Sequence, residues 1–290
     1  MASLVTLNGA GQPAVRPVLH LDGPRLRAAL EQLIAAAEPQ GGVERYAEAM
    51  KLKAAAYQQM LGDGRAASLD LADFEELAAT MPTVRRRIGR VVDEMGWTAV
   101  RAAIARLLEA GHDTTIVDER MAAFCSAFPA TKEFRFARDL GAEVLHNVLP
   151  EHYPLMQRWV WDMKANTGVI REIWHGDNVD AQVIDVADDY ETFLVLREEL
   201  SQFLSDNGVF RDMLWYVDLL SAHIYGGYIN AQGGAYLKTD FSAVPDPLEH
   251  TRRILGLDAV KRRPDLTRSR TIDGGKATPL DLKRLPRTAK

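Results

Sequence analysis

A mainly α-helical fold is predicted by three features of this chain. Apolar residues recur at three- and four-residue spacing over most of its length, capping residues and early prolines punctuate those runs, and stretches of alternating β-branched residues are scarce. The expected architecture is a multi-helix globular protein of orthogonal or bundle-like packing, with a small β element near the C-terminus. At 290 residues, 47% hydrophobic and 26% charged, the chain can bury a substantial core without disulfide or metal staples.

The helices follow in order. Asp22-Gly-Pro24 caps LRAALEQLIAAAE, where Leu26, Leu30, Leu33 and Ile34 share a face. Gln40-Gly-Gly42 separates this run from VERYAEAMKLKAAAYQQML, which Gly62-Asp-Gly64 ends, so the two predict an antiparallel hairpin. Three shorter helices are expected between 68 and 110, opened by Ser68, Pro82 and Thr98. Asp113 or Thr114 caps the next run. After Pro129, KEFRFARDLGAEVLHNV puts Phe134, Ala137, Leu140, Gly141, Val144, Leu145 and Val148 on one face, which predicts the central core helix.

Pro150 opens EHYPLMQRWVWDMKAN, read as a further helix whose Pro154 must fall in its first turn. A short element is expected at 169–174, then two long amphipathic helices, one opening near Asp188 and one after Gly208. Strand signals are confined to VRPVLHL near 15–21, AQVIDV near 181–186, and 267–280, where Asp273-Gly274 is a hairpin-turn dipeptide. The organisation predicted is an N-terminal helical region over 1–112, a main helical domain over 113–260 and a basic extension over 261–290.

Charge and cysteine use restrict function. The formal net charge of −5 argues against general nucleic-acid binding, yet residues 261–290 carry ten Lys or Arg against three Asp. Cys125, the single cysteine, sits among apolar neighbours and reads as an inert buried thiol in a reducing compartment. No charged leader precedes an apolar run at the start, and no stretch approaches 18 continuous apolar residues. A cytoplasmic protein without membrane association is expected.

Chemistry or recognition concentrates in 131–180, which holds three of the five tryptophans and three of the seven histidines. Glu143-x-x-His146 and Glu172-x-x-His175 each put a carboxylate and an imidazole one helical turn apart, the ligand spacing of di-iron bundle proteins, and would call for a transition metal. Against this, the two pairs lie close in sequence for separate ligand helices, and His146 also fits as a cation near a helix C-terminus. Arg158 and Asp162 form an i, i+4 pair on the expected helix, and Trp159 and Trp161 face opposite ways. Trp174 completes a set suited either to a large core or to a recognition surface.

The stretch HIYGGYINAQGGAYLKTDF, 223–241, reads as a structured turn after a long helix, or as a loop over the Trp-rich region with Tyr228, Asn230, Gln232 and Lys238 contributing. Arg85, Arg86, Arg87 and Arg90 read as a solvated helix face, with nucleic-acid contact, also through 261–290, as the alternative. Aromatic anchors without a complete catalytic signature favour a cytosolic helical accessory or binding protein, engaging a protein partner or small molecule through Arg158, Trp159, Trp161, Trp174, Tyr228, Asn230, Gln232 and Lys238. A metal-dependent enzyme using the two Glu-x-x-His pairs is the alternative, and nucleic-acid association the third.

Overall fold

The computed structural model describes residues 16–233 and 246–259. The fold is mainly helical as predicted, with helices α1 (Gly23–Ala37), α2 (Glu44–Leu61), α3 (Leu71–Ala79), α4 (Ile88–Met95), α5 (Trp97–Leu108) and α6 (Val117–Ser126) in the first half. The second half adds α7 (Ala137–Val148), α8 (Val169–Glu172), α9 (Tyr190–Asp206), α10 (Met213–Gly233) and α11 (Glu249–Ile254). None of the helices among the described residues is long and apolar enough to cross a membrane.

The caps explain most boundaries. The Asp22 carboxylate accepts from Arg25 N at 3.0 Å and the Asp189 carboxylate from Thr192 N at 3.0 Å, satisfying first-turn donors of α1 and α9. Asp70, not Ser68, caps α3 through Asp73 N at 2.7 Å, because Ser68 belongs to a preceding 3-10 turn, Arg65–Ser68. Helix α4 starts at Ile88 rather than at Pro82. Residues 82–87 form turns that bury Met81 and Val84 and aim Arg85 at Asp258, a bidentate pair at 2.8 and 3.0 Å.

Helix α7 is the axis of the molecule. Of its residues only Arg138 is even half exposed, and α2, α5 and α6 all pack on it. Gly141 sets the approach to α6: a Cβ there would lie 2.9 Å from the Phe124 ring and 3.1 Å from the Met121 sulfur. One apolar cluster runs from Leu26 to Leu257 and includes side chains on both sides of position 112. The expected α1–α2 hairpin is not a tight pair. α1 lies mainly against α10, which buries Leu26, Leu30 and Leu33 but leaves Ile34 49% exposed.

Two predicted elements take other forms. Residues 150–167 are turns and extended chain, not a helix, because Leu155 to Asp162 are buried on nearly every side, more than a single-stripe helix could bury. The chain there folds back on itself, Val169 N donating to Trp159 O at 3.2 Å and Ile170 N to Val160 O at 3.3 Å. Conversely, the glycine-tyrosine stretch from His223 to Gly233 is helix, the C-terminal end of α10. Gly226 serves packing rather than turning, since a Cβ on it would already touch His250 and Thr251 of α11 at 3.4 Å.

No strand occurs among the described residues. There are two isolated bridges, Leu21 to Trp174 and Asp162 to Thr167. The 181–186 segment is extended, but side chains take the place of a neighbouring strand. Asn166 donates to Ile184 O at 2.9 Å and accepts from Ile184 N at 3.2 Å, Arg171 reaches Gln182 O, and the Trp161 indole reaches Val186 O. The C-terminal β element expected at 267–280 lies outside the described residues, and a small β element is not part of the fold they form.

The chain after α11 docks on α2 and α3. Gly256, at φ +70°, passes so close to Thr80 that an ideal Cβ would lie 1.7 Å from the Thr80 carbonyl oxygen. Gly256→Ala is therefore expected to cost at least about 2 kcal/mol, from left-handed backbone strain and the clash together. Urea unfolding at neutral pH checks this, and a variant of wild-type stability would show that this crossing is not held as described.

Candidate functional site

Helix α7 carries polar residues into the core, where Asp139, Glu143 and His146 are met by partners from other elements and Asn147 by α7 itself. Lys53 of α2, 7% exposed, pairs with Glu143 and donates to Leu255 O at 2.9 Å. The other Glu143 oxygen accepts from the Gln157 amide, whose own oxygen accepts from the Trp159 indole. Asn147 Nδ2 donates to Glu143 O at 2.9 Å. At the start of α7, Asp139 accepts from Arg158 Nη2 at 2.6 Å and from Arg158 N at 3.1 Å.

His146 stands between Tyr153 O, 2.9 Å from Nδ1, and Asp218 Oδ2 of α10, 2.9 Å from Nε2. A carbonyl oxygen can only accept, so Nδ1 carries a proton. A neutral ring would then leave an unprotonated Nε2 beside a carboxylate, an arrangement that favours the imidazolium. Burial works against that charge, but the Asp218 carboxylate, the Tyr153 carbonyl and Glu143 together outweigh it and hold the His146 pKa above its ordinary 6.5. Trp215 packs edge-on against the ring, 6.0 Å between centroids. Tyr153 in turn donates to Gly111 O and accepts from Arg120, and burial, the larger influence, keeps its hydroxyl pKa raised.

The residues expected to form an aromatic recognition surface are partly brought together. Trp159 packs tilted against Tyr225 at 5.8 Å and Tyr225 stacks on Tyr228 at 5.6 Å, a ladder from the core to the half-buried end of α10. Arg158 lies beside it, held to Asp139 instead of pairing with Asp162, which accepts from Ala165 N at the other end of its turn. Trp161 is fully buried and turned toward Val186. Trp174 packs edge-on against His20. Asn230 and Gln232 are exposed on α10, and Lys238 lies outside the described residues.

The two Glu-x-x-His pairs are not brought together. Glu143 and His146 belong to the buried network, while α8 ends at Glu172, so His175 leaves that helical face and sits on the surface 3.5 Å from Asp22. Among the described residues no group of three or more His, Cys, Asp or Glu side chains is placed to hold a metal ion. In the arginine cluster, Arg85 is tied to Asp258, Arg90 to Glu94, and Arg87 lies over the Phe136 ring.

A concave feature absent from the sequence reading lies between α2 and α5, a groove of about 1290 Å³ closed at one end by Gly62 to Arg65 and at the other by Gly111 and His112. Leu52, Ala55, Ala56 and Gln59 line it from α2, and Thr98, Arg101, Ala102, Ala105, Arg106 and Glu109 from α5. Both sets have helical spacing and lie on the faces turned away from α7. Arg106 and Glu109 on its rim are exposed. No protein-family model, curated protein or solved structure matches the chain.

Lysine in the buried stripe of α2, glutamate and histidine in that of α7 and aspartate within WYVDLLSAHI of α10 were the visible signals of the network. Each looks like an isolated breach of the apolar pattern until all are placed together. Removing one partner strands a buried charge, so Lys53→Met is expected to lose about 3–5 kcal/mol, with Lys53→Met/Glu143→Leu recovering much of it. Denaturant unfolding of the two variants and Glu143→Leu measures the coupling, and strictly additive losses would show that the pair does not interact.

The raised His146 pKa makes folding pH-dependent. Its contribution is complete below about 6.5, the unfolded value, and is lost as pH rises through the higher folded value. His223 and His250, whose pKa values burial lowers, act in the opposite direction. The expected readout is therefore the stability difference between wild type and His146→Gln, shrinking from about pH 5 to about pH 9. A constant difference across that range would mean that His146 does not titrate between the two states.

Proposed function

We propose that this chain is a helical binding protein, an accessory to a protein partner, whose α2–α5 groove receives an amphipathic helix bearing large apolar side chains along one face and acidic residues beside them. The observation that carries this reading is the groove itself. At about 1290 Å³ it exceeds the roughly 300–1,000 Å³ of pockets that enclose small molecules. Alanines line it from both helices, Ala55 and Ala56 from α2 and Ala102 and Ala105 from α5, above the buried Leu61 and Val148, which leaves room for leucine-sized knobs from a third helix. Arg65, Arg101, Arg106 and His112 outnumber Asp63 and Glu109 on its walls, which suits an acidic flank.

The Trp159–Tyr225–Tyr228 ladder supports a second reading, in which the partner or a small ligand contacts the end of α10 beside Arg158. The metal-dependent alternative finds no support in the placement of its four ligands, and nucleic-acid contact through Arg85 none in an arginine already paired with Asp258, while the basic extension over 261–290 lies outside the described residues.

A photo-crosslinking residue placed at Ala102 of the full chain, with Val183, 83% exposed, as the control position, tests the reading in the cell of origin. Mass spectrometry maps the captured segment, and a synthetic peptide of it is then titrated against the purified protein. The expected segment is amphipathic and acidic, gains helical circular dichroism on binding, and binds at least about tenfold more weakly to Ala105→Trp and to Arg106→Glu. A peptide insensitive to both substitutions but lost with Tyr228→Ala would transfer the site to the end of α10. Equal capture at Ala102 and Val183 would overturn the groove as a specific site.

A further inference from the structure

Where α2, α7, α10 and α11 meet, a cavity of about 20 Å³ is lined on its polar side by Lys53, Glu143, His146, Asn147 and Asp218. A water needs about 10–15 Å³ of such space, so the cavity accommodates one. The apolar wall includes Ile254 and Leu255, so the segment from α11 onward forms part of its lining.

A second observation is independent of the volume. The Asp218 side chain is 7% exposed, and its Oδ2, in ion-pair contact with His146 Nε2 at 2.9 Å, is not satisfied by a well-formed hydrogen bond. Buried carboxylate oxygens are ordinarily satisfied by protein or by ordered water. Lys53 has a donor to spare on the same wall, since Glu143 and Leu255 O take two of its three ammonium hydrogens.

We infer that this cavity is a binding site for a single internal water, which donates to Asp218 Oδ2 and joins the His146–Asp218 pair to the Lys53–Glu143 pair. The occupant is neutral because the walls are already balanced, with two cationic side chains facing two carboxylates. A bare ion of either sign would leave one charge uncompensated in the core. The inferred water joins by hydrogen bonds two pairs that otherwise interact only through space and the backbone of α7.

A crystal structure of the full chain, solved at high resolution with and without xenon pressure, tests the site directly, because dry apolar cavities take up xenon and hydrated polar ones do not. One density peak within hydrogen-bond distance of Asp218 Oδ2, and no xenon, is the expected result. An empty cavity, bound xenon, or an imidazole rotated to bond Asp218 directly would overturn the inference. In solution, relaxation dispersion of deuterated water should report one long-lived water fewer for Leu255→Phe, whose larger side chain enters the space, than for wild type. An unchanged number in a folded Leu255→Phe would also overturn it.

Discussion

Helix α7 is surrounded by protein, and that constraint organises the rest of the structure. A helix buried on all sides can be wholly apolar, but this one carries Asp139, Glu143, His146 and Asn147. Each must find its partner inside, since an unpaired buried charge costs far more than its pair returns. The partners come from the surrounding chain: Lys53 from α2, Gln157, Tyr153 and Arg158 from the connection after α7, and Asp218 from α10. The polar groups thus specify which element lies on which side of α7, where apolar contact alone would tolerate rotation and slippage. That is a better account of the network than stability, because buried ion pairs are often no more stabilising than apolar replacements.

The same constraint explains why residues 150–167 abandon the helix their sequence favours. A helix there would place one face of the Leu155 to Asp162 run in water, yet its side chains are demanded by α7, α8 and the 181–186 segment at once. The turn that begins at Arg158 lets neighbouring side chains reach the same face of α7, Gln157 at Glu143 and Arg158 at Asp139. The backbone groups left without helical partners are absorbed by the fold-back onto Val169 and Ile170 and by the Asp162–Thr167 bridge.

What could be read from the sequence divides along physical lines. Local chemistry was legible: the aspartate caps of α1 and α9, the stop at Gly62, and α7 as the core helix all follow from spacing within a few residues. Tertiary demand was not. The helix expected after Pro150 and the turn expected at Gly226 each obey local preference, and each is overruled by packing that only the fold supplies, against α7 in one case and α11 in the other. The candidate site shows the same division. Glu143 and His146 were singled out for their spacing, but their function in the network depends on Lys53, Asp218 and Tyr153, between 7 and 90 positions distant. The groove was hidden because alanine carries no chemical signature, and Ala55, Ala56, Ala102 and Ala105 come to line one space only in the folded chain.

Network and groove meet in α2. Its inner face, with Lys53 and Tyr57, is pinned to α7, while Leu52, Ala55, Ala56 and Gln59 on its outer face line the groove. Helix α5, the other wall, also packs on α7, through Val100, Ile104 and Leu107. Both walls are therefore positioned by the same buried helix before any partner arrives. Were a helix to enter the groove as proposed, it would spend little of its interaction energy on ordering the receptor, so even a modest apolar contact with these alanines could yield useful affinity. Placing the charge network inside and the small-residue stripe outside lets one helix serve both ends. The ion pairs hold its orientation about α7, and that orientation decides whether Ala55 and Ala56 present a groove or a closed surface.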